Sequence, residues 1–250
     1  MRNGTDPAVV VVSGTGTEIG KTVVTAAIAA LARARGRSVA VVKPAQTGVG
    51  PGEPGDVAEV ARLAGPVRGV ELARYPEPLA PATAARRAGA VAVRPRDAAD
   101  AVAKAAVEHE LVLVEGAGGL LVRFDPDGGT LADVAVLLAA PVLIVAPAGL
   151  GTLNGVALTA EALRARGVEP LGVVVGSWPD DPDLAARCNL TDLPVVADAP
   201  LLGAVPEGAG TLPPEVFRDR AARWLAPELG GVWDAAAFTA GLDVAFTAAE

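Results

Sequence analysis

The segment GTGTEIGKT, residues 14–22, lies between a short hydrophobic run and a stretch of helical character. The run before it, AVVVVS at 8–13, is continuous and rich in valine, which is typical of a strand buried on both faces of a parallel sheet. The stretch after it runs from about Lys21 to Arg35 and is stopped by Gly36. Glycines in such a turn let backbone N–H groups converge on a phosphate at the helix N-terminus. The pattern therefore predicts a phosphate-binding unit of strand, loop and helix.

Two side chains of this segment have predicted roles. In loops of this kind the lysine, here Lys21, reaches the β- and γ-phosphates of a nucleotide, and the hydroxyl that follows, here Thr22, binds Mg²⁺. The spacing departs from the strict Walker A pattern, because Thr15 stands where that pattern has glycine. The alternative is a glycine-rich turn with a solvated lysine, which the GKT sequence in this context disfavours.

Buried strands, loops and helices continue to alternate to about residue 175. Further strands are predicted at 38–43, 111–115, 141–146 and 168–175, and helices at 56–64, 80–89, 95–110, 131–139, 152–166 and 213–225. Pro44 is expected to end the second strand. This order predicts one P-loop NTPase-like α/β domain over residues 1–250, with a doubly wound, mostly parallel sheet and helices on both faces. About residues 231–250 are expected to form a loosely ordered tail.

The composition excludes several classes of function. The net charge of −8 argues against a broad nucleic-acid surface. Cys188 is the only cysteine and His109 the only histidine, so neither an intrachain disulfide nor a cysteine-rich zinc site is possible, and we expect no role for either residue. The longest uncharged run, 134–160, is interrupted by prolines and glycines, so we expect no membrane partner. With no signal-peptide pattern at the N-terminus, the expected location is cytoplasmic.

Three more charged residues are expected at the edge of the sheet that carries the phosphate loop. Glu115 ends a strand and Asp56 begins a helix, and with Thr22 they offer the oxygen ligands that Mg²⁺ prefers. Asp56 has the alternative role of a helix N-cap, and Glu115 that of an exposed acid at the end of a strand. Lys43 is placed to neutralise charge on a transferred phosphoryl or carboxylate group, the alternative being a solvated lysine.

A second glycine-rich segment, GLGTLN at 149–154, precedes another predicted helix. The free N–H groups of a helix N-terminus suit an anion, so this segment is a further candidate for anion binding. Ordinary capping of the helix by Thr152 is the alternative.

The order and spacing of these motifs resemble the dethiobiotin synthetase family over about residues 9–206. The matching motifs are GTGTEIGKT (14–22), KPAQTG (43–48), Asp56, VEGAGG (114–119) and GLGTLN (149–154). The resemblance implies a homodimer with shared active sites that acts in biotin biosynthesis. It also implies a Mg²⁺-dependent reaction that forms dethiobiotin from 7,8-diaminononanoate, CO₂ or bicarbonate, and ATP or another nucleoside triphosphate. The implied intermediates are a carbamate and a carbamic–phosphoric anhydride.

The resemblance also implies roles for individual residues. Catalysis falls to Lys43, Lys21 and Thr17, and the metal ligands are Thr22, Asp56 and Glu115. The implied nucleotide-binding residues are Gly16, Thr17, Glu18, Ile19, Gly20, Lys21, Thr22, Gly176 and Pro206. The implied substrate-binding residues are Thr47, Gly118, Leu150, Gly151, Leu153 and Asn154. The last four are contributed by the partner subunit and bind the carboxylate at the far end of the substrate.

Gly176 departs from the family pattern. Family members often carry an asparagine there that reads adenine, and glycine has no side chain to do so. We therefore expect ATP to have little advantage over other triphosphates, and an asparagine at 176 to restore the preference if the strand end can accommodate it.

Two other P-loop classes fit less well. ParA- or MinD-type ATPases, which are nucleotide-dependent switches, carry an extra lysine early in the loop, where this chain has Gly16. A cobyrinate-type amidotransferase needs a glutaminase domain with a catalytic cysteine and histidine, and this chain is too short to contain one.

Overall fold

Valine-rich segments form the centre of the fold. The computed structural model describes residues 9–247, and side chains up to residue 242. Within this part of the chain seven strands make one sheet, in the order β3-β2-β4-β1-β5-β6-β7, and every neighbouring pair is parallel. The strands are β1 (Val9–Gly14), β2 (Val39–Thr47), β3 (Arg68–Tyr75), β4 (Leu111–Glu115), β5 (Val142–Ala146), β6 (Pro170–Trp178) and β7 (Leu201–Pro206).

Helices cover both faces of this sheet. They are α1 (Lys21–Ala34), α2 (Asp56–Ala64), α3 (Pro81–Ala88), α4 (Pro95–Glu108), α5 (Leu131–Leu138), α6 (Thr152–Arg164), α7 (Leu184–Ala197), α8 (Pro214–Ala221) and α9 (Ala235–Thr247). Connections from β1 and β2 run towards β3, whereas those from β3 to β6 run towards β7. Right-handed crossovers therefore place α1 and α2 on one face and α4 to α7 on the other. The predicted doubly wound α/β fold is confirmed.

The second strand is longer than predicted. The expectation that Pro44 ends it is wrong, since β2 continues to Thr47. Beyond Val42 the strand has no further partner in β4, while its pairing with β3 continues to Thr47. Proline lacks the backbone N–H, and it is tolerated where one side of a strand is unpaired. The extension carries Thr47 past the end of β4, whereas Lys43 lies level with Glu115, the last residue of β4.

Several elements carried no sequence prediction, namely β3, β7, α7 and α9. The strand β3 lies at the edge of the sheet and its first residues are exposed, so it lacks the continuous apolar run of a central strand. Within the expected C-terminal tail, residues 235–247 form α9, which packs against α7 and β7. Residues 248–250 of that tail lie outside the described residues.

The remaining helices and strands agree with the prediction to within a few residues at their ends. Among residues 9–247, no helix combines the length and the apolar character needed to cross a bilayer.

Candidate active site

A cavity of about 630 Å³ lies where β1, β2 and β4 end. Carboxyl ends of parallel strands are where ligands bind in open α/β sheets. The cavity brings together eleven of the predicted site residues: Thr17, Glu18, Ile19, Gly20, Lys21, Thr22, Lys43, Thr47, Asp56, Gly118 and Glu115. Segments that are distant in sequence therefore meet in one cavity, as the motifs predicted.

The loop between β1 and α1 forms one wall of the cavity. Lys21 is 7% exposed, and its ammonium donates a hydrogen bond to the carbonyl oxygen of Gly16 at 2.6 Å. Burial lowers the pKa of Lys21, and the positive charge of Lys43 lowers it further, against the opposing pull of Glu115 and Asp56. The buried ammonium of Lys21 therefore links the two ends of the loop. Gly16 does not line the cavity, and its carbonyl oxygen contacts Lys21 instead.

Lys43 lies at the centre of a buried charge cluster. Its ammonium bonds to Glu115 Oε1 at 3.0 Å and to the carbonyl of Gly116 at 2.9 Å, and it forms an ion pair with Asp56. Lys43 is 2% exposed, so the alternative of a solvated lysine is wrong. Burial alone would lower the pKa of Lys43, but the charges of Glu115 and Asp56 outweigh it and raise that pKa.

Glu115 is buried as well, at 1% exposure, so it is not an exposed acid at the end of a strand. Its Oε1 accepts hydrogen bonds from Lys43 and from the Thr22 hydroxyl, the latter at 2.9 Å. Its Oε2 has no hydrogen-bond partner among the described residues. A buried carboxylate oxygen without a partner is costly, which points to a ligand that would complete it.

Asp56 is the first residue of α2, and Gly55 is the cap of that helix. The Asp56 carboxylate faces Lys43, so the alternative that it caps the helix is wrong. Burial opposes ionisation, but the charge of Lys43 and the hydrogen bond that its ammonium donates hold the pKa of Asp56 below its usual range. The Asp56 N–H donates to Gln46 Oε1 at 2.8 Å, which fixes the start of the helix.

Thr22, Asp56 and Glu115 thus offer two carboxylates and a hydroxyl to the same cavity. Within the described part of the chain no group of three or more His, Cys, Asp or Glu side chains is arranged to hold a metal ion. The set fits Mg²⁺ nevertheless, because this ion accepts few protein oxygens and completes its shell with water and substrate phosphates. The unpartnered Glu115 Oε2 is the observation that favours a cation here.

Neither Gly176 nor Pro206 lines the cavity. The backbone of Gly176 packs against that of Ile19 and Gly20, and a Cβ at 176 would overlap the Ile19 carbonyl oxygen. The condition set for an asparagine at 176, that the strand end accommodates its side chain, is therefore not met. Pro206 ends β7 opposite Trp178 of β6, at the same edge of the sheet.

The segment 149–154 connects β5 to α6 and does not line the cavity of its own chain. Leu150 at its tip is 93% exposed. Gly151 is the cap of α6, and the Thr152 hydroxyl is buried without a hydrogen-bond partner among the described residues. Capping by Thr152, the alternative to anion binding, is therefore wrong.

Ten further lining residues were not among the predicted site residues: Gln46, Gly48, Val49, Pro78, Leu79, Ala80, Pro81, Gly116, Ala117 and Val122. Several of them flank predicted site residues in the KPAQTG and VEGAGG motifs, so their position beside those residues in the sequence was the available signal. The segment 78–81 carried none. His109 and Cys188 do not line the cavity.

Comparison with known proteins gives close relatives over nearly the whole chain. Residues 8–214 match the model of a protein family described as an AAA domain. An ATP-dependent dethiobiotin synthetase from Saccharopolyspora erythraea is 72% identical over 226 residues, which cover 90% of this chain and 99% of that protein. The enzyme of the same name from Streptomyces coelicolor is 68% identical over 92% of this chain and 97% of its own.

Solved structures support the fold alone. A ParA family ATPase from Chlorobium tepidum aligns with a TM-score of 0.55 at 14% identity, over 90% of this chain and 95% of its own. MinD, in a complex with MinC from Aquifex aeolicus, aligns with a TM-score of 0.53 at 18% identity, over 86% of each chain. The switch ATPases thus share the architecture of this chain, whereas the proteins with high sequence identity to it are the dethiobiotin synthetases.

Proposed function

Because this chain belongs to the ATP-dependent dethiobiotin synthetases, a family of ligase-type enzymes, we propose that it closes the ureido ring of dethiobiotin. The substrates would be 7,8-diaminononanoate, CO₂ or bicarbonate, and a nucleoside triphosphate. The observation that carries the proposal is the convergence of Lys21, Lys43 and the Thr22–Asp56–Glu115 set in one cavity. No histidine or cysteine is needed, since the chemistry depends on positioning and charge neutralisation.

The nucleotide phosphates would lie on the loop 14–22, at the N-terminus of α1. Its glycines and the free N–H groups of the first helical turn suit an anion, and Lys21 supplies the adjacent positive charge. Thr22, Asp56 and Glu115 would hold Mg²⁺, which when bound would neutralise phosphate charge and orient the γ-phosphoryl group. The unpartnered oxygen of Glu115 supports that assignment.

The first step forms a carbamate. The lone pair of one substrate amine forms an N–C bond with CO₂, and the amine loses a proton to solvent. Lys43 would stabilise the carbamate, because its ammonium is fixed in the cavity by Glu115 and Gly116. Thr47 and Gly118 line the same cavity and would contact the diamine end.

The next steps transfer the phosphoryl group and close the ring. A carbamate oxygen attacks the γ-phosphorus, and the P–O bond to the nucleoside diphosphate breaks. The second amine then attacks the carbamate carbon, loses its proton, and inorganic phosphate leaves with the C–O electron pair. Lys21, Lys43 and Thr17 would offset the charge that develops on the transferred oxygens, which is the largest single contribution in reactions of this type.

A homodimer with shared sites completes the proposal. The only basic residues among the described lining of the cavity are Lys21 and Lys43, and both are held at the phosphate loop and the carboxylates. The carboxylate at the far end of the substrate therefore needs a receptor from elsewhere. The exposed loop with Leu150, and Leu158 of α6 at 57% exposure, offer an apolar surface to a second copy of the chain.

The test measures product directly. Purified protein is incubated with ATP, Mg²⁺, labelled bicarbonate and 7,8-diaminononanoate, and labelled dethiobiotin and phosphate are measured with and without the diamine. We expect equal amounts of both products, formed only when the diamine is present. A Thr191→Ala variant, changed at an exposed position on α7, serves as the matched active control. Triphosphate hydrolysis that ignores the diamine would contradict the proposal and favour a switch ATPase.

A further inference from the structure

Helix α7 reaches the β5–α6 loop through one buried amide. Asn189 is 6% exposed, and its Nδ2 donates hydrogen bonds to two consecutive carbonyl oxygens, those of Ala148 at 2.7 Å and Gly149 at 3.1 Å. Both carbonyls are distant from Asn189 in the sequence, and the fold brings them to it. The otherwise exposed loop is therefore anchored at its base.

This anchor fixes the direction of two peptide groups. A peptide unit is planar and trans, so its C=O and the following N–H point in opposite directions. Because Asn189 holds the carbonyls of Ala148 and Gly149, the N–H groups of Gly149 and Leu150 point away from α7. Neither N–H has a backbone or side-chain acceptor among the described residues, and both remain available to a ligand.

A second observation marks the same place. The hydroxyl of Thr152, at the first position of α6, is buried at 3% exposure and has no hydrogen-bond partner among residues 9–242. Gly151, which precedes it, has a φ of 92° and provides no side-chain cap. The loop thus gathers unused donors next to the positive end of a helix dipole.

We infer that Asn189 is a positioning residue, which presents the N–H groups of the β5–α6 loop to the substrate's distal carboxylate. This inference rests on the proposed function, in which that loop receives the carboxylate in the partner subunit's site. Asn189 itself does not touch the substrate. It acts through the carbonyls of Ala148 and Gly149, and it does not line the cavity that holds Lys21 and Lys43.

Asn189→Asp is the most informative variant. It keeps the volume of the side chain but replaces the NH₂ donor with a carboxylate oxygen, which repels the two carbonyls. Asn189→Ala removes the donor without adding repulsion, and Asn189→Gln keeps a donor on a longer stem. The control is Thr191→Ala, two positions along α7 at an exposed residue. Thermal unfolding and size-exclusion chromatography identify which variants remain folded and associated.

The assay compares two substrates, 7,8-diaminononanoate and an analogue in which a methyl group replaces the carboxylate. For the acid, we expect Asn189→Asp to raise KM roughly tenfold or more, as for a lost charge-assisted hydrogen bond, with Asn189→Ala intermediate and Asn189→Gln closest to the wild type. The KM for ATP and the kcat at saturating acid should change little. For the methyl analogue, kcat/KM should be the same in all variants.

The outcomes separate this inference from the proposed function. If Asn189→Asp and Asn189→Ala lower kcat/KM equally for both substrates, Asn189 has only a structural role and the inference fails. It also fails if both variants match the wild type on the acid. If the wild-type protein does not turn over the acid, or does not prefer it to the methyl analogue, the proposed function or its carboxylate site fails instead.

Discussion

Lys43 holds two carboxylates together that would otherwise repel each other. Its ammonium bonds to Glu115 and pairs with Asp56, and the two acids belong to different elements, β4 and α2. A buried ion pair contributes little net stability against an apolar replacement, but removing one partner leaves uncompensated buried charge. Retaining such a cluster at the carboxyl edge of the sheet therefore favours a catalytic role over a structural one.

The first prediction concerns Lys43→Ala. We expect turnover of 7,8-diaminononanoate to fall by about 10²–10³, the usual effect of removing one preorganised charge, while nucleotide binding changes by less than tenfold. Steady-state kinetics and isothermal titration with ATP measure the two effects. Lys43→Met, which keeps most of the stem, is the control for lost packing and should be equally slow. Normal turnover in both variants would remove Lys43 from the catalytic residues.

The second prediction concerns the pH dependence of stability through Asp56. Its pKa is lowered in the folded protein, so its contribution is present above the ordinary value of about 3.9 and is lost as the pH falls below it. Lys43 remains charged throughout, because its pKa is raised and its contribution is lost only well above pH 10. The Tm of the wild type should exceed that of Asp56→Asn at pH 7, and the difference should shrink towards pH 3. A difference that stays constant over this range would rule out the ion pair.

The sequence could predict the main residues of the cavity but not all of their partners. Lys21, Thr22 and Glu115 belong to local motifs whose chemistry follows from spacing, and the structure brings them together. Gln46 could be recognised as a hydrogen-bonding residue beside Thr47, but not as the partner of the Asp56 backbone. Asn189 carried no signal, because it acts on the backbone of another segment, the β5–α6 loop. Such roles depend on tertiary proximity, which a single sequence does not reveal.

At the scale of elements, β6 is the strand pressed against the phosphate loop. A Cβ at Gly20 would overlap the carbonyl of Gly176, and one at Gly176 would overlap that of Ile19. The two backbones therefore meet through glycine on both sides, as close approach requires. The geometry explains a glycine in a strand interior, where it otherwise reduces stability.

The third prediction follows for the nucleotide. With no side chain at 176 to read the base, ATP should bind less than about 100-fold more tightly than CTP or GTP, a difference of under roughly 2.7 kcal/mol. Gly176→Ala should weaken all three to a similar degree, because the added methyl displaces Ile19 and the loop. Gly172→Ala in the same strand, where the nearest atoms belong to Leu202 and Pro200 and not to the loop, is the control. Competition titrations measure the affinities, and a larger preference for ATP would contradict the argument.

The fourth prediction concerns α9, which was not predicted as a helix. The Phe238 ring packs against Trp178 and Trp233, with centroids 5.4 Å apart in both pairs. Phe238→Ala should reduce the free energy of unfolding by about 1–3 kcal/mol, less than a fully buried phenylalanine would, because Phe238 is only half-buried. Denaturant unfolding monitored by tryptophan fluorescence measures it. Val232→Ala, at an exposed residue nearby, should have little effect.

Two of the elements that sequence missed share a physical cause. The charged edge strand β3 and the helix α7, which contains Pro194, both lack a clean hydrophobic period. Central strands such as β1 and β4 were predicted closely, because burial on both faces imposes an apolar run. What sequence alone left open is therefore mostly the periphery of the sheet.

At the scale of the whole molecule, one chain provides only part of the proposed site. The cavity contains the groups proposed for phosphate, metal and carbamate, whereas Asn154, in the first turn of α6, lies outside it. If two copies exchange these segments across a two-fold axis, each site takes Lys43 from one subunit and Asn154 from the other. Asn154→Asp should then weaken binding of the substrate's carboxylate by charge repulsion, with little effect on ATP.

The fifth prediction tests this exchange by mixing subunits. Neither Lys43→Ala nor Asn154→Asp homodimers should be active at low diamine concentration, but a mixed dimer has one site with both residues intact. After unfolding and refolding together in equal amounts, about half of the dimers are mixed, so roughly a quarter of wild-type activity should return. The converse mixture pairs wild type with a chain that carries both changes: shared sites leave about a quarter of the activity, and separate sites about half. Native mass spectrometry confirms that mixed dimers form, and their inactivity in the first mixture would show that each chain works alone.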